Sequence, residues 1–194
     1  MKRTCLLAVF LLGPFALVSH AQDKTNFPSD EEVQLLLTQA DRSMRQYKPL
    51  IDEEERELGK HGAEAVAKDR QVVEAVETAV ELLTKQPQGF NSPAGFALFE
   101  WLDDATRNAM LCSQTAMSQA SMLAMVGKTD DANRFMHLSQ ACMDASTLIY
   151  TVSENAGSLY ERYVKGEQEI ANKGVAVMEK CTEALKKMAA DKQK

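Results

Sequence analysis

"MLCSQTAMSQASMLAMVGKTDDANRFMHLSQACMD", Met110 to Asp144, decides the fold. In its middle, Gly127 to Asp131 reads as a tight turn, with Gly127 ending one helix and Thr129 capping the next. On either side, apolar residues recur at spacings of three and four, the period of a packed helix face. Leu98, Leu102, Ala105, Ala109, Cys112, Ala116, Gln119, Leu123 and Val126 make the incoming seam. Phe135, Leu138, Cys142, Ala145, Ile149, Val152, Ala156, Leu159 and Tyr163 make the outgoing one. Folding the chain at Gly127-Lys128 brings Cys112 and Cys142 to the same height. It also sets Leu98 by Ala156, Leu102 by Val152, Ala105 by Ile149, Ala109 by Ala145, and Ala116 by Leu138. Large residues mostly meet small ones, which lets the layers interdigitate. Helix axes usually sit 8–10 Å apart, whereas a disulfide needs Cα atoms within ~7 Å, and alanines allow the closer approach. A Cys112–Cys142 disulfide is therefore expected. The competing reading is a pair of buried thiols packed as small hydrophobes.

The methionines of the same stretch raise a soft-metal alternative, since thioethers suit copper(I). Met110 and Met117 share one helix face, and Met136 and Met143 share another. Both faces lie well round the helix from the cysteines, and His137 lies off the second. The set does not converge on one point. The expectation is a second apolar face packing on helix 1 or 2. Cys181 is the odd thiol, too far along a continuous helix to reach Cys142. It is either a buried inert thiol or an intermolecular bridge.

Working outward toward the N-terminus, Ser29-Asp30-Glu31-Glu32 is a capping box. Val33, Leu37, Ala40, Met44, Tyr47, Ile51 and Leu58 follow as a seam that keeps its phase across Pro49, so a kinked helix over about 30–60 is expected. A second helix spans about 63–85, with Ala65, Val72, Val76, Ala79 and Leu83 as its stripe and Val66, Val73 and Val80 beside it. "QPQGFNSP" (Gln86–Pro93) is the clearest break, and Ser92-Pro93 opens the third helix, about 93–126. The fourth covers about 130–190, with Ile170, Val177, Cys181, Ala184 and Met188 continuing its stripe and "KGEQE" at Lys165 marking the place for a break near 166. No strand-like alternation appears. The expected fold class is all-α: an elongated antiparallel bundle of about four helices with coiled-coil-like seams and a long C-terminal helix, forming one domain over 29–190.

Residues 1–21 stand apart. Lys2 and Arg3 precede the apolar run "LLAVFLLGPFALV" (Leu6–Val18) and the small-residue site Ser19-His20-Ala21. That is the pattern of a secretory signal peptide, with cleavage after Ala21 and a loose tail over 22–28. The run is too short to span a bilayer comfortably, which takes ~20 residues. Export to a periplasm or the extracellular space is expected, and such compartments permit disulfides. Without Lys2 and Arg3 the net charge moves from −6 to about −8, a poor basis for binding nucleic acid or an anionic membrane. No membrane insertion is expected after cleavage.

Catalytic signatures are missing. Cys-x-x-Cys-His, Glu-x-x-His, His-Glu-x-x-His, P-loop and Gly-x-Ser-x-Gly patterns do not occur. Acidic runs such as "DEEERE" (Asp52–Glu57) and Asp103-Asp104 read as solvated helix faces. An enzyme would need an enclosed polar cleft around His61 or His137. Phe96, Phe99 and Trp101, with Phe90 nearby, form the densest aromatic patch, either bundle-end core or a partner-binding knob. The expectation is an exported, non-enzymatic protein without a cofactor. It would act in interaction or scaffolding, with a protein partner or itself, through the long C-terminal helix. The alternative is a periplasmic copper-handling protein using Met110, Met117, Met136 and Met143 with reduced cysteines.

Overall fold

The computed structural model describes residues 27–59 and 62–191, with side chains as far as 186. The expected signal peptide over 1–21, most of the tail, His61 and the side chain of Met188 lie outside the described residues. Four helices and no strand are present among the described residues. They are α1 (Asp30–Leu58), α2 (Ala63–Lys85), α3 (Pro93–Met125) and α4 (Thr129–Asp191), with a short 3-10 turn at Pro87–Phe90.

Each boundary has a local cause. Ser29 Oγ accepts from the Glu32 N–H at 3.2 Å while Glu32 Oε2 accepts from the Ser29 N–H at 2.8 Å, closing the capping box. Pro49 sits inside α1, which runs through it to Gly59 at φ 56°. Ser92 Oγ accepts from the Ala94 N–H, and Pro93 opens α3 where a missing donor costs nothing. Gly127, at φ 77°, takes the left-handed conformation that lets the Lys128 and Gly127 N–H groups reach back to the carbonyls of Leu123 and Ala124. The Ala132 N–H donates to the Lys128 carbonyl, so Lys128 holds the cap position expected of Thr129.

The helices form a ring. α1 packs on α2 and α4, α3 packs on α2 and α4, and the diagonals barely touch. The fold is an all-α bundle. Its main core joins Leu36, Leu37, Met44, Tyr47 and Ile51 of α1, Val73 and Val76 of α2, Leu98 and Leu102 of α3, and Ile149 and Val152 of α4, with Phe90 closing one end. A second cluster, Cys112, Ala116, Ala120, Phe135, Leu138 and Cys142, fills the α3–α4 tip under Leu50 and Leu58. Every residue of the five pairs expected across the hairpin is buried.

Three expectations need correction. On α2, Val76, Ala79 and Leu83 are buried as expected, but Val66, Asp69 and Val73 complete the stripe, while Val72 is half-buried and Ala65 exposed. α4 does not break near 166 and runs 63 residues. Two of its glycines serve close packing: a Cβ on Gly166 would lie 2.8 Å from the Phe27 ring, and one on Gly157 3.2 Å from the Phe99 ring. The methionine faces do not pack on α1 or α2. Met110, Met117, Met136 and Met143 remain 42–52% exposed. In the ring each helix of the hairpin has two neighbours, and the methionines point away from both.

Candidate functional site

Glu54 and Asp69 are only 3% exposed. Glu54 sits on the α1 seam between Ile51 and Leu58, at the place where the apolar spacing skips. Asp69 sits between Val66 and Val73 on α2. The ring geometry turns both toward Tyr47, which is fully buried. Asn108 of α3 also reaches Asp69. Neither the Tyr47 hydroxyl nor Glu54 Oε2 has a hydrogen-bond partner in the structure. Burial, reinforced by the charge of Asp69, lifts the Glu54 carboxyl to about 7. Burial also raises Asp69, although interactions with Tyr47, Glu54 and Asn108 pull it back. Burial and the two acids push the Tyr47 hydroxyl above its usual range. Reading "DEEERE" as a solvated face missed Glu54, and the seven-residue gap from Ile51 to Leu58 was the signal that could have found it.

The α3–α4 hairpin carries the remaining expected residues. The Cys112 and Cys142 sulfurs lie at disulfide distance, 2.18 Å, with Cα atoms 6.1 Å apart. Serines support the same close approach: Ser139 Oγ donates to the Ser113 carbonyl at 2.9 Å, and Ser146 Oγ to the Thr106 carbonyl at 3.1 Å. The four methionines stay on the outside, while both cysteines are buried between the helices. His137 is exposed on α4, with no enclosed cleft around it. Among the described residues, no group of three or more His, Cys, Asp or Glu side chains could hold a metal. The grooves are shallow. The one lined by Asp41, Arg45, Lys48, Asp52 and Glu77 is bridged by a Lys48–Glu77 pair at 2.9 Å.

The expected aromatic patch divides. Phe90 is core, and Phe99 and Trp101 pack at its margin. Phe96, 41% exposed, instead starts a ladder of rings that continues through Tyr160 and Tyr163 to Phe27, with centroids 5.4–6.1 Å apart. Arg162 pins this end by donating to Glu32 Oε1 at 2.6 Å, and that bond holds the Glu32 carboxyl below its usual range. Beyond the ladder, from Gly166 to Asp191, α4 projects past the bundle for about 38 Å at 1.5 Å per residue. Val175, Val177, Met178 and Leu185 on this projection are 51–71% exposed, and Cys181 is half-buried among them. None of the described helices is long and apolar enough to cross a membrane. The chain matches no protein-family model, no curated protein and no solved structure.

Proposed function

We propose that the protein is an exported, non-enzymatic helical module that works through protein contact, with the projecting part of α4 as its binding element. One observation carries the reading: a helix anchored in a packed bundle continues well beyond it while leaving Val175, Val177, Met178 and Leu185 mostly in water. Helices in proteins draw most of their stability from packing an apolar face, so such a stripe calls for a partner. The leader pattern at 1–21 and a cysteine pair at bonding distance support an oxidising compartment outside the cytoplasm. The near-complete burial of the two acids, both 3% exposed, supports a structural rather than a catalytic role for them.

Site-specific photo-cross-linking in the producing cells tests the binding reading. A photoreactive residue in place of Val177, Met178 or Leu185 is expected to give covalent adducts heavier than the chain. The same residue in place of the exposed Thr151 on the bundle should give none. Failure of all three projecting positions to cross-link would end the proposal.

A further inference from the structure

Six positions on one face of the projection form a palindrome. Ile170, Gly174, Val177, Met178, Cys181 and Leu185 are spaced four, three, one, three and four apart, symmetric about the midpoint of Val177 and Met178. At 100° per residue all six fall within an arc about 100° wide. A dimer with two-fold symmetry needs a self-complementary patch, and a palindromic stripe on a helix supplies one when the two helices run antiparallel. With the axis at that midpoint, Ile170 meets Leu185 of the other copy, Gly174 meets Cys181, and Val177 meets Met178. Gly174 has no atom within 4 Å of where a Cβ would lie, which leaves room for the opposing thiol.

The charges favour the same orientation. The bundle end of the projection carries Glu167 and Glu169, and the far end carries Lys186 and Lys187. An antiparallel pair brings the acidic end of each helix beside the basic end of the other: Glu169 stands level with Lys186 of the other copy, and Glu167 within a residue of Lys187. A parallel pair would set acid on acid and base on base. Lys173 and the other copy's Lys180 share the middle of one flank, so the ends carry the attraction. The stripe also continues the face that α4 turns toward α1, and the first described ring before α1, Phe27, packs at Gly166.

We infer that the projecting segment of α4 pairs antiparallel with the same segment of a second copy, about a two-fold axis between Val177 and Met178. The inference rests on the binding role proposed above and adds the identity of the partner.

Sedimentation equilibrium of the leaderless full chain at micromolar concentration is expected to give twice the chain mass. Val177→Glu with Met178→Glu should return it to the monomer mass, with unchanged helical circular dichroism because both side chains lie outside the bundle. Orientation is read from thiols. In the antiparallel pair the two Cys181 residues lie about 10 Å apart along the axis, so mild oxidation leaves the native chain unbridged. Gly174→Cys then produces an interchain bridge to Cys181. A monomer mass for the native chain, or a Cys181–Cys181 bridge in high yield, would overturn the inference. A monomer that still cross-links through Val177 to a different protein in cells would sink the self-pairing and leave the binding role intact. A monomer without any such adduct would sink both.

Discussion

Glu54 is an acid in a position that the seam reserves for a leucine. Its folded-state carboxyl titrates at about 7, against 4.5 in the open chain. Between those values the folded protein keeps a proton that the unfolded chain has released, so stability falls as pH rises from about 4.5 to 7 and levels off above. The gap corresponds to a contribution on the order of 3 kcal/mol. Glu54→Gln keeps the shape and removes the titration. Urea unfolding at pH 5 and pH 7.5 is expected to show the native protein more stable at pH 5, and the variant nearly level and firmer than the native chain at pH 7.5. A native protein equally stable at both would refute the buried acid pair. Reading the chain for apolar residues alone could not find this site. Charge marks a residue as solvated by default, and the Tyr47, Asp69 and Asn108 that surround Glu54 come from three different helices.

At the scale of elements, the α3–α4 hairpin was the part most open to reading. Its seams hold their period without interruption, and the Gly127 turn fixes the register, so the heights of Cys112 and Cys142 follow from counting. Their Cα atoms, 6.1 Å apart, lie 30 residues apart in sequence. Closing a loop of that length restrains the unfolded chain by about 3–4 kcal/mol. Cys112→Ala with Cys142→Ala should lower the unfolding free energy by roughly that amount, and reductant should destabilise the native protein but not the variant. If reductant moved neither urea midpoint, the sulfurs would not be joined in the protein as made. The outer faces were harder. A helical wheel shows that Met110 and Met117 share a side, but whether another helix covers that side depends on how four helices close a ring. Likewise, Gly166 reads as a weak point in isolation, and only the Phe27 ring against it shows why a glycine stands there.

At the scale of the molecule, α4 alone spans about 93 Å. A compact domain of this chain length would have a radius of gyration of only about 16 Å. Small-angle scattering of the Val177→Glu, Met178→Glu chain should therefore give a maximum dimension of at least about 90 Å. A value near half that would mean that the projection folds back on the bundle and that its apolar stripe is covered from within. Four helices were legible from periodicity. The length of free helix was not, because it depends on where α1 begins against α4.

The unbroken run of α4 through Gly166 also makes the projection a pointer whose bearing is set inside the bundle. Each residue turns a helix by 100°, so the azimuth of Val177 and Met178 is locked to that of Ile149 and Val152 by the number of residues between them. One residue added after Gly166 would swing the tip through more than a quarter turn while leaving the bundle contacts before it in place. Seven added residues would restore the bearing to within about 20° and merely lengthen the arm. The direction in which this protein presents its far end is thus written as a phase, in residue count rather than in side-chain identity.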